Sequence, residues 1–278
     1  MVGKVGNPGP YFQPALSPDG ASLVVSSGDP APGGRSAIWL FDLVRGSSQR
    51  LTSDTEPNRS SLWSSDGTHV LFQSRSSEIH TKAWNGVGAD EVVLNAGEPW
   101  PEDVSPDGQF LVYAAPDPKT GSDLWLLPLK GDKKPTELVR TPADEFQAQI
   151  SPDGHWLAYM AFESGKGDVY VQPFPALGPR WQVSVAGGFQ PRWRRDGKEL
   201  FYLAPDATLM AVDIASTPSR FVAGRPKPLF AARVRAVVWT RNEYVVAPDG
   251  QRFLFAQSVE ESGPPAITVV LNWAAEHK

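Results

Sequence analysis

The stretch SPDGHWLAY at residues 151–159 determines the fold prediction, because its pattern returns along the whole chain. An Asp-Gly pair, usually after Ser-Pro, precedes a run of apolar residues. Asp-Gly is a preferred pair in tight β-hairpin turns, and the apolar run behind it is typical of a strand. The pair occurs six times, spaced 47, 41, 46, 43 and 53 residues apart: Asp19-Gly20, Asp66-Gly67, Asp107-Gly108, Asp153-Gly154, Asp196-Gly197 and Asp249-Gly250.

The segments after each turn predict further strands, and no segment has a convincing helical period. The first apolar run after each turn is continuous rather than alternating, so we expect both faces of that strand to be buried. Second strands are predicted at 23–25, 70–72, 110–113, 156–159, 200–202 and 253–255, and third strands at 38–41, 79–84, 124–127, 169–171, 209–212 and 267–271. Fourth strands are predicted near Leu51 and at 92–93, 138–139, 181–183 and 229–230.

Repeats of about 40 to 50 residues with four antiparallel strands are typical of β-propeller blades. The sequence therefore predicts an all-β protein, a single six-bladed β-propeller over residues 1–278. The sixth repeat is short by one strand, so we expect residues 2–5 to supply its outer strand and close the ring. The blades are predicted at about 10–52, 58–95, 100–140, 145–184, 188–231 and 240–273 plus 2–5.

Composition excludes several classes of protein. With 26 Lys and Arg against 31 Asp and Glu, the net charge is −5, so no basic excess exists to bind a nucleic acid backbone. Cysteine is absent, which excludes disulfides and thiolate zinc sites. No apolar run approaches about 18 residues, and the first twenty residues contain no apolar signal-peptide stretch. We expect a soluble monomer that does not insert into membranes.

The Ser-Pro-Asp-Gly repeats resemble those of TolB-like β-propellers. The second half further resembles the C-terminal propellers of bacterial eukaryotic-like serine/threonine kinases, as found in acidobacteria, in residues 123–125, 169–175, 190–202 and 267–273. This resemblance implies an extracytoplasmic accessory domain that binds or senses a ligand, here separated from its kinase. The sequence contains no kinase phosphate loop, His-Arg-Asp loop or Asp-Phe-Gly triplet, so kinase activity is not expected.

In a propeller, ligands usually bind at the mouth of the central channel, on the rim opposite the Asp-Gly turns. Counting six residues back from each turn Asp predicts the channel mouth at Gln13, Ser60, Pro101, Gln147, Gln190 and Glu243. Neighbouring positions add Phe12, Trp100, Phe146 and Phe189 and the carboxylates Glu56, Glu102, Asp103, Asp144 and Glu145. The predicted ligand-binding residues are Gln13, Trp100, Gln147, Gln190 and Arg192, of which Arg192 suits an anion.

These residues admit two interpretations. In the first, the Gln and Glu side chains bind water and strand ends in a wet channel. In the second, a divalent cation, calcium or zinc, is held in the central channel and activates water. Its candidate ligands, also candidate catalytic residues, are Glu102, Asp103, Glu145 and Glu243. His80, placed on the same rim as the channel mouth, is a further catalytic candidate or a structural histidine.

Three functions remain open from the sequence. The first is a module that binds a small molecule, peptide, protein or glycan at the channel face. The second is a metal-dependent hydrolase of activated esters, lactones or phosphotriesters, of phosphotriesterase, lactonase or esterase type. The third is a structural spacer. Six-bladed lactonases and phosphotriesterases share this plan, but their signature residues are not recognisable in the sequence, so the hydrolase is an analogy from fold.

Overall fold

The computed structural model describes residues 2–5, 9–28, 35–53, 56–163, 165–176, 178–232, 234, 242–258 and 265–270. Side chains of 2–4, 257–258 and 265–270 are not described. Every extended regular element in this part of the chain is a β-strand, as the sequence predicts. Within the same residues, no helix is long and apolar enough to cross a membrane. Residues 271–273, part of the last predicted strand and of the resemblance to kinase-associated propellers, lie outside the described residues.

The Asp-Gly repeats form tight turns, and their side chains explain the motif. In the turn at residues 151–154, the Ser151 hydroxyl donates to Asp153 Oδ1 at 2.5 Å and accepts the Trp156 N–H at 2.9 Å. The Gly154 N–H bonds to the Ser151 carbonyl at 2.8 Å. Gly154 has a φ of 75°, a left-handed conformation that costs glycine little. All six turn glycines have φ values between 67° and 75°, so the repeat encodes one turn geometry.

Twenty-four strands follow one another along the described chain. They are β1 Val2–Val5, β2 Tyr11–Leu16, β3 Ser22–Gly28, β4 Ser36–Asp42, β5 Ser47–Arg50, β6 Asn58–Trp63, β7 His69–Ser74, β8 Glu78–Ala83, β9 Glu91–Asn95, β10 Trp100–Val104, β11 Phe110–Asp117, β12 Gly121–Pro128, β13 Thr136–Val139, β14 Asp144–Ile150, β15 Trp156–Glu163, β16 Lys166–Pro173, β17 Trp181–Gln182, β18 Phe189–Trp193, β19 Glu199–Leu203, β20 Thr208–Asp213, β21 Lys227–Ala231, β22 Tyr244–Val246, β23 Phe253–Ser258 and β24 Pro265–Val270.

These strands form four-stranded sheets whose strands pair antiparallel. Five sheets are each built from four consecutive strands, in the orders β2-β3-β4-β5, β6-β7-β8-β9, β10-β11-β12-β13, β14-β15-β16-β17 and β18-β19-β20-β21. A further sheet has the order β1-β24-β23-β22 and so joins the two ends of the described chain. Val2 pairs with Val270 and Val5 with Ile267, which confirms the prediction that residues 2–5 form an outer strand of the last sheet.

The second strand of each repeat contains an unbroken buried run, as its continuous apolar run predicts. Leu23, Val24 and Val25 of β3 are fully buried, and β15 is buried over its first six residues. The chain divides into two compact units, Met1–Pro101 with Arg233–Arg235 and Asn242–Lys278, and Glu102–Ala232 with Ala236–Arg241. In the second unit, Trp156, Trp181 and Phe221 pack with ring centroids 5.2 to 5.6 Å apart. These tryptophans therefore contribute to the core.

Candidate functional site

The first strand of several sheets contains a β-bulge at the position predicted to form the channel mouth. The register of β14 with β15 shifts between Phe146 and Gln149, and Gln147 has a φ of 58°. The same shift interrupts β2, β6 and β18, where Gln13, Ser60 and Gln190 have φ values of 53°, 55° and 57°. A positive φ is uncommon outside glycine, and a bulge turns the side chain away from the regular pleat.

The bulge residues link neighbouring sheets within each unit. In the second unit, Gln147 Oε1 accepts the backbone N–H of Gln190 at 2.8 Å. In the first unit, Gln13 Oε1 accepts the backbone N–H of Ser60, and Gln13 Nε2 donates to the Ser60 hydroxyl, both at 3.0 Å. At the bulges of Ser60 and Gln190, the side chain of the preceding bulge residue accepts the backbone N–H. These polar residues therefore act as braces between sheets.

The third repeat departs from this pattern because Pro101, at the equivalent position, has no side-chain atom that can accept a hydrogen bond. Its neighbours Glu102 and Asp103 supply the acceptors instead. The Glu102 carboxylate accepts the backbone N–H groups of Gln147 and Ala148, and Asp103 Oδ2 accepts that of Ile150 at 2.8 Å. Two carboxyl groups thus take the place of one amide in this repeat.

The carboxyl groups of Glu102 and Asp103 have altered acidity. Burial raises the pKa of Glu102 to about 8 and that of Asp103 to about 7, against the lowering effects of the bound N–H groups and of Arg192. Both residues nevertheless keep intermediate solvent exposure. Arg192 is buried and donates to the Pro191 carbonyl at 2.7 Å. We call Glu102, Asp103 and Arg192 the Glu102 cluster.

Other predicted site residues occur in both units, Glu145 in the second and Glu243 and Trp100 in the first. Glu145 is fully buried; its Oε1 accepts a hydrogen bond from the Thr141 hydroxyl, and burial raises its pKa to about 8. Glu243 is buried in the first unit, where its carbonyl accepts the Ala256 N–H at 2.8 Å. Trp100 is half-buried at the start of β10. The joint site of Glu102, Asp103, Glu145 and Glu243 therefore remains a prediction.

His80 has partners of its own in the first unit. Its Nδ1 lies 2.7 Å from Asp90 Oδ2, and its Nε2 lies 2.8 Å from Glu78 Oε2. The side chain is buried and its ring packs against Phe72, with centroids 5.9 Å apart. Both ring nitrogens are engaged with carboxylates, so this geometry favours the structural interpretation of His80 over a catalytic base.

The predicted channel cation would need several His, Asp or Glu side chains placed together. Among the described residues, no group of three or more His, Asp or Glu side chains is arranged to hold a metal ion. In the Glu102 cluster, backbone N–H groups already bind both carboxylates, and a cationic guanidinium is close enough to lower their pKa values. These residues do not fit a divalent cation without giving up those contacts.

Comparisons with known proteins agree with this architecture. No protein-family profile matches the sequence, and no curated protein is similar to it at a significant level. Solved structures do match. A TolB-type protein from Agrobacterium tumefaciens superposes with a TM-score of 0.70 at 16% identity, covering 95% of this chain and 91% of that one. The chain has the fold of a TolB-like β-propeller.

Two further structures extend the comparison. TolB from Acinetobacter baumannii has a TM-score of 0.69 at 14% identity, and the match covers 95% of this chain but only 61% of TolB. An oligogalacturonate lyase in complex with manganese has a TM-score of 0.64 at 14% identity, with 100% and 94% covered. At such identities the likeness of the TolB-like propeller to these proteins establishes the fold alone.

Sequence reasoning missed two features of the site. It did not predict that the channel-mouth residues occupy β-bulges. The Gln-Pro pairs at residues 13–14 and 190–191, each at the same distance before its turn, were a usable signal. It also missed Asp123, whose carboxylate raises the pKa of Glu145, a smaller effect than that of burial. No spacing in the sequence relates these two residues.

Proposed function

We propose that this TolB-like propeller is a binding module and that the Glu102 cluster contacts its ligand. The observation that carries this proposal is the exchange of a neutral brace for two half-exposed carboxyl groups in one repeat. In four other repeats the equivalent position is occupied by Gln or Ser, and in the sixth by Glu243. The hydrogen bonds of Gln13 and Gln147 link neighbouring sheets. Desolvated carboxyl groups with raised pKa values occur often at functional sites. Such groups destabilise the folded protein, and a function explains why they are retained.

The chemistry of the cluster favours a peptide or small molecule that carries a protonated amine. Near pH 7 the carboxyl group of Glu102, with a pKa of about 8, is largely neutral. A ligand ammonium group would favour the ionised form and strengthen the hydrogen bond between them. Binding would then release protons, so the affinity should rise with pH up to about 8.

We also propose that the sheets close into a six-bladed ring whose axial channel opens at the bulge residues. The N-terminal strand β1 supports this proposal, because its pairing with β24 joins both ends of the chain in one sheet. The resemblance to kinase-associated propellers supports a sensing role without kinase activity. An assay with radiolabelled ATP and a generic protein substrate should therefore detect no phosphoryl transfer.

A titration with amine probes tests the binding proposal. Calorimetry and thermal shift with spermidine and a trilysine peptide should detect binding to the native chain. We expect the affinity to fall at least tenfold in Glu102→Gln/Asp103→Asn, whereas the exposed Glu98→Gln in the same region should bind normally. Equal affinity in all three proteins would show that the amine binds elsewhere, and no binding to any of them would contradict the proposed ligand class.

A hydrolase of activated esters, lactones or phosphotriesters is the second candidate, favoured by the raised pKa values of Glu102 and Asp103, which suit general acid–base chemistry. The similar oligogalacturonate lyase was solved with manganese. Metal analysis, followed by assays with a nitrophenyl ester, a lactone and a phosphotriester with and without chelator, separates the two functions. Turnover that is lost on chelation and in Glu243→Gln would support the enzyme, and metal-free protein without turnover would support binding.

A further inference from the structure

The hairpin between β8 and β9 contains the single Asn-Gly pair of the sequence, Asn85-Gly86. Both residues are exposed, as is the whole stretch 84–92. Gly86 has a φ of 76°, and a Cβ atom added there would meet no atom within 4 Å beyond its two chain neighbours. Neither a side chain of its own nor a packed neighbour therefore crowds this glycine.

An asparagine that precedes a glycine can react with the main chain. The backbone nitrogen of the glycine attacks the asparagine Cγ, and a C–N bond forms. The proton of that nitrogen passes through water to the side-chain nitrogen, whose bond to Cγ breaks and which leaves as ammonia. Water then adds to either carbonyl of the resulting succinimide and opens it to aspartate or isoaspartate. The attack is intramolecular because the reacting atoms belong to adjacent residues.

The hydrogen bonds of the turn bear on this attack in opposite ways. The Val87 N–H donates to Asn85 Oδ1 at 3.0 Å. Negative charge develops on this oxygen when Cγ becomes tetrahedral, and an N–H group already directed at it stabilises that charge. The Gly86 N–H donates to the Ala83 carbonyl at 2.9 Å, and this bond must open before the attack. Such bonds in exposed turns open at little cost in free energy.

Two other asparagines of the described chain are held differently. Asn58 is buried, and its Nδ2 donates to two backbone carbonyls at 2.9 Å. Asn95 is exposed, but its Nδ2 donates to Glu78 Oε1 at 3.2 Å, and the next residue is Ala96, whose Cβ hinders attack by its nitrogen. Exposure, a following glycine and a donor on Oδ1 therefore come together at Asn85.

We propose that Asn85 is a site of spontaneous deamidation, which adds a negative charge to the β8–β9 hairpin with time. The formal net charge changes from −5 to −6, in a hairpin that already exposes Asp90 and Glu91. Isoaspartate also inserts a methylene group into the main chain of the turn. The site lies in the first unit and does not depend on the proposed binding function.

Incubation of the full chain at 37 °C, at pH 6 and at pH 8, tests the site. Cleavage after glutamate releases residues 79–91, with Asn85, and residues 92–98, with Asn95, as separate peptides. Mass spectrometry should show the first peptide gaining about 1 Da, because NH is exchanged for O, at least about tenfold faster than the second. The rate should be higher at pH 8, since the attacking nitrogen must lose its proton. An isoaspartyl methyltransferase should label the first peptide only after incubation.

Two glycine variants separate the Asn-Gly pair from its surroundings. Gly86→Ala should slow the reaction at least about tenfold, because the methyl group hinders the attacking nitrogen. Gly88→Ala is the matched control, since Gly88 has a φ of 83° and the same open space but leaves the pair intact, so its rate should stay near that of the native chain.

Two results would overturn the proposal. The first is equal rates in Gly86→Ala and Gly88→Ala, because the Gly86 nitrogen would then not be the attacking group. The second is an unchanged peptide 79–91 after incubation of the native chain at pH 8. Deamidation of this peptide only in the chain unfolded by urea would assign that second result to the turn, whose hydrogen bond would then block the attack.

Discussion

Replacing Gln147 by methionine tests whether the bulge residues hold the sheets together. Gln147 is 2% exposed, and its Oε1 accepts the N–H of Gln190, which is fully buried. Methionine has a similar length but offers no comparable acceptor, so the Gln190 N–H would be left without a partner. An unsatisfied buried donor costs about 1–3 kcal/mol. We expect a Tm lower by about 4 °C, since 1 kcal/mol corresponds to about 2–4 °C in chains of comparable size.

Thermal and urea unfolding of the native chain and variants provide the measurement. Gln147→Glu keeps an acceptor oxygen at the same length, so it should recover part of the loss where its carboxylate is ionised. Gln49→Met is the matched control, because Gln49 lies exposed on β5 and the same exchange there should change the Tm by less than about 1 °C. If Gln147→Met were as stable as the native chain, the Gln147 hydrogen bond would contribute nothing to stability. The interpretation of the bulge residues as braces between sheets would then be wrong.

Three further predictions concern the closure, the acidity and the histidine. Deleting residues 1–7 removes the strand that pairs with β24, exposes its edge, and should lower the Tm by more than about 5 °C in calorimetry; an unchanged Tm would refute closure. The pKa of Glu102 is raised from 4.5 to about 8, so the folded state binds a proton that the unfolded state releases, and stability should fall as the pH rises from about 4.5 to 8. Tm values between pH 5 and 9 should fall less steeply in Glu102→Gln, and equal slopes would exclude Glu102 as the source. His80→Leu should lower the Tm by several degrees, because it leaves two carboxylates without their shared partner, whereas the exposed His69→Leu should change it little; equal losses would contradict the pairing.

The sequence predicted where the bulge residues lie in their strands but not which groups their side chains contact. Counting back from the turn correctly located Gln13, Ser60, Gln147 and Gln190 at equivalent places in their sheets, because each is separated from its turn by one short strand. The count predicted all four at the channel mouth, and Gln13, Gln147 and Gln190 as ligand-binding residues. In the structure the side chains of Gln13 and Gln147 brace neighbouring sheets. Their role depends on which backbone N–H lies opposite, and that group belongs to another repeat.

The sequence by itself determined the turns, the strand order and the closing strand. The hydrogen bonds of an Asp-Gly turn join residues at most five apart, so six copies of one motif specify six copies of one geometry. Only the tertiary structure decided the partners of the polar residues. Gln147 and Gln190 are 43 residues apart and Gln13 and Ser60 are 47 apart. Asp123 and Glu145 acquire raised pKa values because packed strands exclude water around them. Such contacts and burial arise when sheets pack together, which no local pattern of residues encodes.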